Sequence, residues 1–188
     1  MQSPIQMRTQ LEVTPEAMQI SYVVRNESTE PILLLDTHWN RKAKAFDPDW
    51  ALVEIRGSKA LIKRIMETKP KGLMIEHPPV PYGREVAPGA SLEGKFSVPF
   101  PLTAFNPYDF YVMPGATARE VDVTDIGFML AWTTVPPEPV DRSMAKLVRD
   151  GITLQPFTYY FLDGKQRFLT SEPVKVQVKG IVKVPLGK

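Results

Sequence analysis

From Val174 to Val184 apolar and polar side chains alternate with one break: Val174, Val176, Val178, Val182 and Val184 fall on one face, and Lys175, Gln177, Lys179 and Lys183 on the other. An extended chain sends successive side chains to opposite faces, so the pattern predicts a strand with one side on a core and the other in water. Gly180 interrupts the apolar face and marks either a bulge or a close approach of another group. The same alternation runs through Met18, Ile20, Tyr22 and Val24. There Asn26-Glu27-Ser28-Thr29-Glu30-Pro31 reads as a polar connection to a second strand, Ile32-Leu33-Leu34-Leu35.

Turn chemistry divides the rest of the chain. Gly57-Ser58, between Trp50 to Arg56 and Lys59 to Met66, predicts a tight hairpin, favoured over the helix that Leu61, Ile62, Ile65 and Met66 would also suit. Ala87-Pro88-Gly89-Ala90 is a turn feeding a strand from Leu92 to Phe100. Ile126 to Val135 is nearly continuous in apolar residues, which suits a central strand more than an edge. Asp141 to Asp150 is expected to form one short helix, capped by Asp141 and ended by Gly151. Phe157 to Leu162 and Gln166 to Thr170 flank Asp163-Gly164 as a further hairpin. Closely spaced strands with turn dipeptides between them predict an all-β fold, an antiparallel β-sandwich of immunoglobulin-like or fibronectin-like character with long loops and at most one short helix. A single domain over residues 1–188 is expected, with two small β subdomains divided near 100–125 as the alternative.

Composition narrows the class. Hydrophobic residues make up 43% and charged residues 23%, near the globular average. The longest apolar runs, such as Ile32 to Leu35 and Phe128 to Trp132, fall far short of the ~20 residues of a membrane helix. The 19 prolines, against ~9 at average usage, are scattered as punctuation and suit many short strands. With no cysteine there is no disulfide scaffold, and 188 residues bury enough core to need neither staple nor cofactor. Met1 to Gln10 lacks the apolar centre of a secretory signal, which implies a cytoplasmic protein if the chain is complete, or a periplasmic or envelope protein if a signal has been removed. Net charge is only +2, although Arg56 to Lys71 carries six basic residues against Glu67 alone. Nucleic acid is disfavoured as a partner, because lysines alternating with core valines describe a solvated face.

Catalytic chemistry is sparse. Only His38 and His77 could supply an imidazole, and Asp36, His38, Asp47 and Asp49 form the one local group of donors that a folded-back loop could bring to a metal. The competing reading makes Asp36 and Asp47 turn residues, Asp49 solvated and His38 a strand end with Trp39 packed over the sandwich. No G-x-S-x-G elbow and no glycine-rich phosphate loop occurs. Asp122 and Asp125 could be imagined as a carboxylate pair, but nothing marks a sugar cleft around them. Asn26-Glu27-Ser28 matches a glycosylation acceptor, relevant only in a eukaryotic secretory setting.

Two segments are better suited to recognition. His77-Pro78-Pro79-Val80-Pro81-Tyr82-Gly83 favours an extended, polyproline-like path, because proline fixes φ and disfavours helix in the residue before it. Phe100 to Gly115 gathers Phe100, Phe105, Tyr108, Phe110 and Tyr111 with three prolines. Aromatic rings offer large contact area for little lost rotamer freedom, which makes Phe105, Tyr108, Phe110, Tyr111, Pro79, Pro81 and Tyr82 the candidate partner contacts. The alternative is that the rings close an open end of the sandwich.

Ile20-Ser21-Tyr22-Val23-Val24-Arg25-Asn26-Glu27-Ser28, then Pro31-Ile32-Leu33-Leu34 and later Pro88-Gly89-Ala90-Ser91-Leu92, resemble bacterial immunoglobulin-like domains, which read V-x-N-x-S, a second strand and a P-G-x-x-L turn. That group includes intracellular proteinase inhibitors. The resemblance covers about Met18 to Phe96 and implies a sandwich; no inhibitory residue is carried over. A non-enzymatic bacterial binding or structural module is expected, meeting a protein partner through loops or a sheet edge. The alternative is a carbohydrate-binding or metal-dependent enzyme accessory domain, with Asp36, His38, Trp39 and Trp50 near one site.

Overall fold

The computed structural model describes residues 3–40, 43–66, 82–109, 115–135, 147–149, 152–156 and 165–185. Every element bounded among them is a strand: β1 (Ile5–Val13), β2 (Ala17–Asn26), β3 (Ile32–Asn40), β4 (Ala45–Asp47), β5 (Leu52–Arg56), β6 (Lys59–Arg64) and β7 (Tyr82–Val86). The chain continues with β8 (Ser91–Pro99), β9 (Leu102–Thr103), β10 (Thr117–Thr134), β11 (Leu147–Arg149), β12 (Ile152–Pro156), β13 (Arg167–Thr170) and β14 (Val174–Val184).

Two sheets face each other. One has three antiparallel strands in the order β1-β2-β8. The other is mixed and runs β11-β12-β7-β3-β10-β14-β9, with β4, β5, β6 and β13 attached beside it. Between them Ile20, Tyr22, Val24, Phe96 and Val98 of the first sheet share one core with Ile32, Leu34, Ile62, Phe128, Leu130 and Trp132 of the second. Phe128 is the centre of that contact, its ring 5.4 Å from Tyr22 and 5.6 Å from Phe96 between centroids.

The continuous apolar runs have a separate cause. On the opposite face of the second sheet Leu33, Leu35, Leu52, Ile65 and Ala131 form another buried cluster, against which Trp50, Met66, Met129 and Val135 pack. Residues 32–35 of β3 and 126–132 of β10 are therefore covered on both sides, which removes the polar half of their alternation.

β10 organises the second sheet. Along one edge it pairs with β14 and then β13; along the other it takes β6 in parallel and then β3. β14 pairs with β9, and the chain just beyond bonds to β5 in both directions, Phe105 N to Val53 O at 2.9 Å and Val53 N to Phe105 O at 3.3 Å. Since β5 pairs with β6 and β6 with β10, hydrogen bonding closes into a ring. Gly180 sits opposite Val121 inside it, and a Cβ there would lie 2.8 Å from Ile55 Cδ1 and 2.9 Å from Val123 Cγ2. The glycine thus answers a close approach of side chains, while the register shift of this strand pair falls between Val123 and Asp125.

Arg56 faces Lys59 across Gly57-Ser58, the hairpin expected there, with Gly57 at φ 59°. The two turns read as Asn26 to Pro31 and Ala87 to Ala90 instead carry the chain from one sheet to the other. The helix expected from Asp141 to Asp150 requires correction: Leu147–Arg149 is a strand paired with β12, Arg149 opposite Ile152. Antiparallel pairing with β12 so close in sequence outweighs three apolar residues at helical spacing, and Asp150 and Gly151 lie outside the described residues. Residues 141–146 and the hairpin centre Asp163-Gly164 lie outside the described residues.

Candidate functional site

Polar residues that keep step with the inward apolar positions of their strands converge in the core. Asp36 continues the inward set of Ile32 and Leu34, Tyr22 lies between Ile20 and Val24, Arg64 follows Ala60 and Ile62, and Arg84 precedes Val86. Asp36 is 3% exposed and accepts hydrogen bonds from Tyr22 Oη at 2.6 Å and from Arg84 Nε at 2.9 and 3.0 Å, with Arg84 Nη2 also upon it. Arg64 donates to the backbone oxygens of Asp36, at 3.1 Å, and Pro48, and its guanidinium carbon lies 3.7 Å from the centroid of the Phe96 ring. Burial, reinforced by the Asp36 charge, pushes the Tyr22 hydroxyl well above the ordinary phenol value, so it stays a donor. One carboxylate thereby fixes β3 to β2 and β7, and its backbone ties β3 to β6.

This position decides the fate of the four-donor group. Asp36 turns into the core, whereas Asp47 accepts from Asp49 N at 3.1 Å and Asp49 accepts from Ser97 N at 3.0 Å. Among the described residues no group of three or more His, Cys, Asp or Glu side chains is placed to hold a metal ion. His38 instead stacks on Trp50, with centroids 4.7 Å apart and planes 9° from parallel. His77 and the side chain of Trp39 lie outside the described residues. Asp122 and Asp125 pair with separate lysines, Lys179 at 2.9 Å and Lys175 at 2.5 Å.

Burial holds the His38 imidazole below its ordinary 6.5, against a smaller upward pull from Asp47. The folded chain then binds fewer protons than the unfolded one just beneath that pH. Stability contributed by His38 is complete above 6.5, declines as pH falls toward the folded-state value, and levels off below it. His38→Phe, which keeps a ring on Trp50 and removes the titration, is expected to flatten this part of a plot of melting temperature against pH. An unchanged slope would assign the dependence to other groups.

The aromatic recognition segment divides. Tyr108 is only 6% exposed, a correction to its expected place on the surface: the chain turns at Pro107, with Asp109 N donating to Asn106 O at 3.1 Å, and the ring goes inward. Phe105 is 44% exposed although its backbone is bonded to Val53 on both sides. Its ring borders a groove of about 310 Å³ whose lining includes Val53, Ile55, Ala104 and Val182. Lys63 and Glu54 at 3.0 Å, and Lys183 and Asp109 at 3.0 Å, supply paired charges around it. Tyr82 meets Phe46 edge-on at 5.4 Å. Pro79, Pro81, Phe110 and Tyr111 lie outside the described residues.

Arg64 and Arg84 escaped the sequence reading although their signal was present, a charged residue in phase with buried alternation. Set against known protein families, curated proteins and solved structures, the chain matches none of them.

Proposed function

We propose that this chain is a non-enzymatic, immunoglobulin-like bacterial module that binds a protein partner, with the Phe105 groove as its contact surface. The observation that carries the reading is Phe105: an exposed ring on backbone held by two interstrand bonds, beside a groove of mixed lining in which Val53, Ile55, Ala104 and Val182 lie among charged pairs. Rigid aromatic anchors bind without a large ordering cost, and a polar surround excludes competing water. The immunoglobulin-like part is supported by proximity of the motifs that suggested it. Asn26 N donates to Ala90 O at 3.0 Å, Gly89 N to Asn26 O at 2.7 Å, and Asn26 Nδ2 to Val86 O at 3.0 Å. The asparagine turn and the Pro88-Gly89 turn are thus one structure joining the sheets.

Phe105→Ala removes exposed surface, so its stability should stay within about 0.5 kcal/mol of wild type. Capture from a lysate of the source organism, read by mass spectrometry, should return a protein with wild type that the folded variant loses. Equal capture by both would remove Phe105 from the contact. The half-buried His38 and Trp50 stack favours a second reading, a sugar platform, whose mark would be a change in Trp50 fluorescence with soluble glycans.

A further inference from the structure

The two outer edges of the three-stranded sheet are treated differently. On β8, bonding of Asn26 N to Ala90 O and of Phe100 N to Glu16 O fixes the even-numbered residues as those that exchange hydrogen bonds with β2, so the odd-numbered ones face outward. That edge is blunted, since Ser97 N donates to Asp49 and Pro99 has no N–H. On β1, Thr14 N to Ala17 O at 3.0 Å and Glu27 N to Pro4 O at 2.8 Å set the same phase, which turns the backbone groups of Ile5, Met7, Thr9, Leu11 and Val13 outward. Ile5 N is taken by Ser3 Oγ at 3.3 Å. Among the described residues, the other four have no partner on that side. β1 also lacks most of the usual defences, its only one being two solvent-facing charges. It contains no proline, its pairing with β2 runs unbroken from Ile5 to Val13, and its charges, Arg8 and Glu12, sit on the solvent face and not the inward one.

We propose that β1 pairs with β1 of a second copy, antiparallel about a two-fold axis at Gln10, to make one continuous six-stranded sheet. This register, unlike its neighbours, bonds Met7 to Val13 of the second copy and Thr9 to Leu11, using the four open residues and leaving Ile5 with Ser3. On the solvent face it sets Arg8 directly across from Glu12 of the other copy, twice by symmetry, with Gln10 facing Gln10. On the inner face it brings Met7 against Val13, which is otherwise 45% exposed. The inference rests on this edge alone and is independent of the Phe105 groove.

The chain has no cysteine, so a single introduced one reports the register. Gln10→Cys places two thiols at a pair that is not hydrogen-bonded, about 4.5 Å apart between Cα atoms and within disulfide reach. Mild oxidation should therefore give a covalent dimer. Gln6→Cys, on the same face but about 27 Å from its symmetry mate, should not. By sedimentation equilibrium the wild type should dimerise with rising concentration. Arg8→Glu should weaken association roughly tenfold, and the combined Arg8→Glu and Glu12→Arg variant should restore it. A chain that stays monomeric throughout, or a dimer indifferent to both charge reversals and not cross-linked through position 10, would overturn the proposal.

Discussion

Asp36→Ala is expected to cost about 3–5 kcal/mol of folding stability, the range for breaking one side of a buried ion pair. The change strands two donors at once: the Arg84 guanidinium loses its charge partner and Tyr22 Oη loses its 2.6 Å bond. Arg64 is already in the core without a carboxylate of its own and with Nε unbonded among the described residues, so removing Asp36 takes away the carboxylate nearest to two buried guanidinium groups. Replacing both Asp36 and Arg84 with Leu and Met should be much less damaging than the sum of the single changes, because no buried charge of that pair is left behind. Urea denaturation of the four chains measures the cycle. A loss below about 1 kcal/mol for Asp36→Ala would show that the network is not under the load its burial implies.

Gly94→Ala should be comparably severe, for a reason invisible in its own surroundings on the strand. Gly94 lies directly across from Tyr22, and a Cβ there would overlap Cζ and Oη of that ring. The ring cannot yield cheaply, being fully buried, stacked on Phe128 and bonded to Asp36. Overpacking of this kind costs about 1–3 kcal/mol, and loss of a hydrogen bond to a charged group about 1.5–3 kcal/mol, so a combined loss of about 3 kcal/mol or more is expected. The coupling is testable through Tyr22→Ala, in whose background Gly94→Ala should be nearly neutral. If Gly94→Ala proved equally costly there, its effect would lie in the backbone and not in the ring.

Local pattern revealed local structure well. The alternation from Val174 to Val184, the Gly57-Ser58 turn and the central character of Ile126 to Val135 all reappear because each depends on neighbours in sequence. What could not be read was partnership. Ile32 to Leu35 shows a strand but not that two different clusters cover it, and Asn26 to Pro31 shows a turn but not that it changes sheets. Arg64 and Arg84 looked like ordinary strand charges because their carboxylate, Asp36, is 28 and 48 residues away in the chain. Tyr108 and Phe105 have similar chemistry and near-identical context, yet the turn at Pro107 sends one ring inward and leaves the other out.

The central functional claim is that Phe105 anchors a protein partner. The direct measurement is calorimetric affinity for the captured partner with wild type, Phe105→Ala and Trp50→Ala, each first shown to be folded. Phe105→Ala is expected to lose at least tenfold in affinity, the size typical of an aromatic anchor, and Trp50→Ala to change little. Unchanged affinity for Phe105→Ala with a loss at Trp50 would contradict that claim and move the site to the stacked His38 and Trp50 rings.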